Sequence, residues 1–157
     1  MNCIKYAAMP SDEARAFWEG GADAYGRAPE RKISEGSGVP CRHCLRDVVE
    51  GEAYFILAYR PFPKLQPYAE TGPIFIHAEP CERATDQTDT PAMLMKRAAH
   101  LIKGYGADHR IVYGTGKIVT SPELSASAEA ILERADVAYV HVRSALNNCY
   151  TCRINRG

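Results

Sequence analysis

Apolar positions along the chain recur in two rhythms, one helical and one alternating. After Pro10, Ser11-Asp12-Glu13 offers a capping hydroxyl and two acids in the first turn, which predicts a helix stopped by Gly20-Gly21. Behind Thr90-Pro91, Leu94, Ala98, Leu101 and Ile102 fall at i, i+4, i+7 and i+8, which predicts a second helix ended by Gly104. Ser121-Pro122-Glu123 opens a third, with Leu124, Ala128, Ile131, Leu132 and Ala135 as its stripe. The strand-like runs are Ala53 to Tyr59, Pro73 to His77, Arg110 to Tyr113 continuing at Lys117 to Val119, Val137 to Arg143, and Cys149 to Ile154. In the fourth run Ala138, Val140 and Val142 share one face, while Tyr139, His141 and Arg143 share the other, read as turned away from the main core. Ser144 to Asn148 reads as a hairpin loop, with Asn147-Asn148 suited to left-handed backbone. With strands in the middle and at the end, and no regular βαβ alternation, the expected fold is α+β. It has a mostly antiparallel sheet of about five strands, with two or three helices packed mainly on one face.

Length and composition narrow this picture. A chain of 157 residues is expected to form one domain and to bury roughly 70% of its unfolded surface without staples. Residues 1–40 read as a helix plus a long loop, and 41–157 as the main α+β body. The loop, Gly20 to Pro40, is rich in glycine and charge; Glu30 and Glu35 interleave with Arg27, Arg31 and Lys32, so it reads as a solvated mixed-charge segment rather than an anion site. The 19 Lys+Arg balance the 19 Asp+Glu, which argues against nucleic-acid or anionic-membrane partners. A homo-oligomer is compatible with that balance. Met1 to Tyr6 lacks a basic region followed by an apolar run, and no apolar run approaches the ~18 residues of a membrane span, so a cytoplasmic protein is expected.

Six cysteines in a chain that needs no disulfides call for another explanation. Five of them fall in three motifs: Cys41-Arg42-His43-Cys44, His77-Ala78-Glu79-Pro80-Cys81 and Cys149-Tyr150-Thr151-Cys152. Soft thiolates and imidazole at these spacings suit a tetrahedral Zn²⁺, the one cofactor expected; no nucleotide or organic cofactor is. Cys41 and Cys44, after Pro40 and a glycine-rich loop, rank first as ligands, then Cys81 and Cys152, then His77 and Cys149. In a regular strand Cys149 and Cys152 would point to opposite faces, so one would be a ligand and the other a core thiol, unless the strand begins later and Cys149 lies in the turn. Cys3 reads as a bland thiol. Two rivals stay open: every cysteine is a buried hydrophobe, or Cys41/Cys44 or Cys149 is a reactive or redox thiol, with Arg42 and His43 lowering the thiol pKa of the first pair.

His141 and Arg143 on one strand face are candidate anion-binding or acid/base groups, with Cys149 beside them; the alternative is that they are solvated or paired with a carboxylate such as Glu70. The proline-punctuated stretch from Tyr59 to Pro73 reads either as a pocket wall or as a packed crossover. Gly104-Tyr105-Gly106 and Gly114-Thr115-Gly116-Lys117 lack the spacing of a phosphate loop and read as a helix stop and a turn. The strings Pro40-Cys41-Arg42 through Gly51-Glu52, Pro67-Tyr68 through Gly72-Pro73-Ile74-Phe75, and Ala138-Tyr139-Val140-His141-Val142 through Cys149-Tyr150 resemble a family of short bacterial proteins, domain of unknown function 1203. The likeness runs from about Ala14 onward. It implies a single stand-alone domain with no assigned activity, cofactor or partner. In the family's pattern Cys41 and Cys149 are usual, whereas Cys44, His77, Cys81 and Cys152 depart from it, so a metal site built on those four would be special to this branch. The leading functional reading is a small binding or regulatory module with a structural zinc site, held by Cys41, Cys44, Cys81 and either Cys152 or His77. The alternative is a small thiol-dependent enzyme or redox protein.

Overall fold

The computed structural model describes residues 3–157; Met1 and Asn2, the first residues of the segment read as lacking a leader, lie outside the described residues. Two antiparallel sheets carry the α+β architecture. The larger has the order β1-β8-β7-β5-β6, from β1 (Ile4–Ala7), β5 (Ala99–Tyr105), β6 (Lys117–Thr120), β7 (Tyr139–Ser144) and β8 (Tyr150–Arg156). The smaller is β2-β3-β4, from β2 (Glu30–Ile33), β3 (Ala53–Tyr59) and β4 (Gly72–His77). The helices are α1 (Ser11–Trp18), α2 (Ala92–Met95) and α3 (Leu124–Leu132), the last preceded by a 3-10 turn over Ser121–Glu123. No helix among the described residues is long and apolar enough to cross a membrane.

The third helix folds on its predicted stripe: Leu124, Ala128, Ile131 and Leu132 are all buried, against Ile102, Val140, Val142, Cys152 and Ile154 on one face of the large sheet. The second helix does not. It lasts a single turn, and the residues expected to continue it form β5, whose alternation buries His100, Ile102 and Gly104. An i, i+4, i+8 reading of Leu94, Ala98 and Ile102 coincides with a period-2 reading of His100, Ile102 and Gly104, and pairing with β6 and β7 on both edges decides for the strand. Side chains rather than a further turn meet the carbonyls at its end: Arg97 Nη1 donates to Met93 O, and the Ser121 hydroxyl lies within hydrogen-bond reach of Leu94 O and of Arg97 O just beyond.

Gly104 is therefore a strand residue, not a helix stop. A Cβ there would sit 2.9 Å from Ile131 Cγ2 and 3.1 Å from Thr115 Oγ1, so only glycine lets α3 lie this close to the sheet. Gly104→Ala is expected to destabilise the protein by at least about 1 kcal/mol in urea unfolding; an unchanged midpoint would mean that α3 yields freely.

The structure departs from expectation in four other places. The 20–40 segment is not all loop: β2 pairs with β3 through backbone alone, and all four of its residues are exposed, so it offers no buried period to detect. β1 was not anticipated; it adds a fifth strand beside β8. The 110–113 run forms no strand; the isolated Tyr105–Ile111 bridge ties it to β5. Lastly, β7 is buried on both faces, because the 59–73 crossover covers the side that carries Tyr139, His141 and Arg143, which was expected to lie outside the core.

One irregularity joins the two faces. β7 and β8 pair Val142 with Cys152 but Arg143 with Tyr150, so Thr151 is an extra residue on β8. Cys152 stays with Val142 and Ile154 under α3, while Tyr150 is turned toward His141, ring centroids 4.8 Å apart, and packs with Leu57, Tyr59 and Ile74 from the small sheet.

Candidate metal centre

Pro40 to Asp47 forms a tight knuckle: a bridge joins Pro40 to Asp47, the Cys41 amide donates to Arg46 O at 3.0 Å, and the Leu45 amide donates to Cys41 O at 3.0 Å. Leu45 closes it in left-handed backbone, φ 53°. Asp47 is pinned from outside by both amino groups of Arg97, at 2.7 and 3.2 Å. His77 is the last residue of β4, and the turn through Pro80 brings Cys81 back beside the knuckle.

One donor atom each from Cys41, Cys44, His77 and Cys81 lies within 4.8 Å of the other three. Cys41 Sγ and Cys81 Sγ are 3.9 Å apart, and Cys44 Sγ and His77 Nδ1 are 3.5 Å apart. With Zn–S bonds of about 2.3 Å and Zn–N of about 2.0 Å, the edges of a tetrahedral site are about 3.8 Å for S···S and about 3.5 Å for S···N. Two opposite edges of a tetrahedron are thus in place, and this three-thiol, one-imidazole cluster can hold a metal ion.

The surroundings favour thiolates. The His77 backbone amide donates to Cys41 Sγ at 3.3 Å, and His43 Nδ1 lies 3.2 Å from Cys81 Sγ, with its Nε2 3.0 Å from the Ser11 hydroxyl. Trp18 packs edge-on against His43 and donates its indole N–H to His77 O, so α1 walls the site. Hydrogen bonds from Cys44 and Cys81 hold the Cys41 thiol far below the ordinary range despite its burial. Hydrogen bonding to Cys41 in turn raises Cys44 to about 11 and, together with hydrogen bonding to Cys44, raises Cys81 strongly. Three thiols this close share one negative charge; a divalent cation among them would let all three ionise. Contact with Cys41 raises the His77 pKa, and Glu52 Oε2 lies 4.0 Å from His77 Nε2, on the side away from the sulfurs.

Cys41 is wholly buried, whereas Cys44, His77 and Cys81 line a surface cleft of about 600 Å³ that also takes in Arg31, Arg46 and Glu79. Of the two completions left open by sequence, His77 joins the group and Cys152 does not: Cys152 is a core thiol under α3, and burial lifts its pKa to about 12. Cys149 is not in the group either; it lies in the turn before β8, half-buried, with its Sγ 3.8 Å from Asn147 O. Cys3 is exposed. His43, inside the first motif, was read only as an electrostatic influence, and no spacing rule separates such a sulfur partner from a ligand.

His141 and Arg143 sit apart from these sulfurs. Four rings surround His141: Tyr105 and Tyr150 at 4.8 Å, Tyr139 at 5.0 Å and Phe62 at 5.1 Å. Arg143 is buried with Nη2 3.2 Å from Glu70 Oε2.

No curated protein and no solved structure matches the chain. Residues 38–156 match the family described as "Protein of unknown function (DUF1203)". That span takes in both the knuckle and the β7–β8 hairpin and covers most of the chain, which therefore belongs to the DUF1203 family.

Proposed function

We propose that this protein is a small binding module that holds one structural Zn²⁺ through Cys41, Cys44, His77 and Cys81. The carrying observation is the pair of opposite tetrahedral edges, 3.9 Å between Cys41 and Cys81 and 3.5 Å between Cys44 and His77. Four protein donors fill the coordination of zinc and leave no open position for water, which is the pattern of a structural rather than a hydrolytic site. Soft sulfur donors in a majority favour Zn²⁺ over Mg²⁺ or Ca²⁺. In this role the metal would tie the knuckle to the end of β4 and the following turn, and so set the walls of the cleft above it. The thiol-enzyme alternative draws on the lowered Cys41 thiol, but a sulfur with no exposed surface is badly placed to attack a substrate.

Metal analysis of protein purified without an affinity tag tests this reading. About one equivalent of zinc per chain is expected, falling below about a tenth in Cys41→Ser and Cys81→Ser and unchanged in Cys152→Ser. A metal-free wild type whose Cys44 and Cys81 thiols titrate freely would overturn it.

A further inference from the structure

A second cavity, of about 230 Å³, opens between the 59–73 crossover and the β7–β8 turn, lined by Tyr59, Glu70, Thr71, Arg143, Cys149 and Tyr150 among others. We propose that it is a binding site for a small oxyanion, a carboxylate or a phosphate, recognised by Arg143.

Three observations carry this. The Arg143 side chain is only 6% exposed, its Nη1 donates to Asn148 O at 3.1 Å, and its Nε and Nη2 have no hydrogen-bond partner. A buried guanidinium with two unmade hydrogen bonds is costly, and it is the group that nature uses to grip carboxylate and phosphate. Next, charge does not balance around it. Glu70 faces Arg143 at 3.2 Å, but the same carboxylate is held by Lys103 at 2.9 Å and accepts from the Tyr105 hydroxyl at 3.2 Å. Two cations thus share one acid, and Arg153 stands over the Tyr139 ring at 3.8 Å with Asn155, not an acid, as its hydrogen-bond partner. Burial first, and then Arg143, Arg153, Lys103 and His109, hold the His141 pKa far below its ordinary value.

The third observation is the extra residue at Thr151. In regular register Tyr150 and Arg143 would point to opposite sides of the sheet; the bulge pairs them and turns both to this cavity. Bulges recur where a side chain must be re-aimed toward a site. The cavity has room for a group the size of acetate or phosphate, and none of its lining groups belongs to the metal cluster.

Cys149 provides an internal reporter because it lines the same cavity, while exposed Cys3 is a reference thiol in the same molecule. Iodoacetate and the neutral iodoacetamide alkylate by the same step: the thiolate sulfur forms a bond to carbon and iodide leaves. Labelling is followed by peptide mass spectrometry of the full-length, metal-loaded protein. The Cys149-to-Cys3 rate ratio is expected to be roughly fivefold or more higher with iodoacetate than with iodoacetamide, because the anionic reagent is drawn to Arg143. Arg143→Gln should abolish the preference and Glu70→Gln should enlarge it; the second variant serves if the first does not fold. Protection of Cys149 by acetate assigns a carboxylate ligand, and protection by inorganic phosphate assigns a phosphate. Equal ratios for the two reagents, or a preference that survives Arg143→Gln and does not respond to Glu70→Gln, would overturn the proposal. Protection by neither anion would do the same.

Discussion

Treatment with a strong chelator is expected to lower the unfolding free energy by about 4 kcal/mol, the linkage of an ion present at roughly a thousand times its dissociation constant. The reason is where the ligands sit. Cys41 and Cys44 belong to the same buried cluster as Val39, Val48, Leu57, Ile74, Ile76 and Met9, so release of the knuckle opens part of a core and not merely a surface loop. The second buried cluster, between α3 and the large sheet, takes no residue from the metal group. Chelation should therefore leave that half folded, which urea unfolding would register as loss of a single cooperative transition. Cys41→Ser, assayed with zinc present, should match the chelated wild type and gain nothing further from chelator. Identical unfolding curves for the wild type with and without chelator would end the structural-metal reading. Acid should mimic the chelator, since protons compete with the metal for the thiolates and for His77.

A second large effect is expected from His141. Burial among four rings, reinforced by Arg143, Arg153, Lys103 and His109, holds its folded-state pKa well below the usual 6.5. A depressed histidine stays neutral in the folded protein while the unfolded chain takes up a proton. The stability it confers is thus fully present above pH 6.5 and is lost as pH falls below that value. Between pH 7.5 and 5 this amounts to about 2 kcal/mol for one such group. The comparison that isolates it is the pH slope of stability in the wild type against His141→Gln. His100, also depressed by burial, and His77, raised by Cys41, contribute to both proteins and cancel in the difference. Equal slopes in the two proteins would mean that His141 finds a way to ionise in place.

How far the chain could be read in advance follows from which signals were local. The α3 stripe was legible because four of its five predicted apolar residues face one side and no other period fits them. β5 was not, because Leu94, Ala98 and Ile102 satisfy a helical spacing, and the pairing that overrules it is long-range, reaching from His100 to Ser144. β2 left no trace, its side chains all being in water. At the site, the Cys41 and Cys44 pair was visible as a motif with a proline before it. The choice between His77 and Cys152 was not, since it turns on where β4 ends beside the knuckle and on which face of β8 Cys152 occupies, next to one unpaired residue that resets the count. Placing Cys149 and Cys152 on opposite faces assumed a regular strand; in the event Cys149 precedes β8 altogether.

That unpaired residue has a wider consequence. If β8 ran regularly, with Thr151 itself paired to Arg143, every side chain on its N-terminal side would slide by one place, and Tyr150 would exchange the cavity beside Arg143 for the packed space under α3, where no room exists for a phenol. The two halves of the molecule are thus kept distinct by the one residue that this hairpin leaves unpaired. Point substitutions can accumulate along the hairpin as long as they leave that residue unpaired, whereas any change that draws Thr151 into the ladder opposite Arg143 disturbs both halves at once.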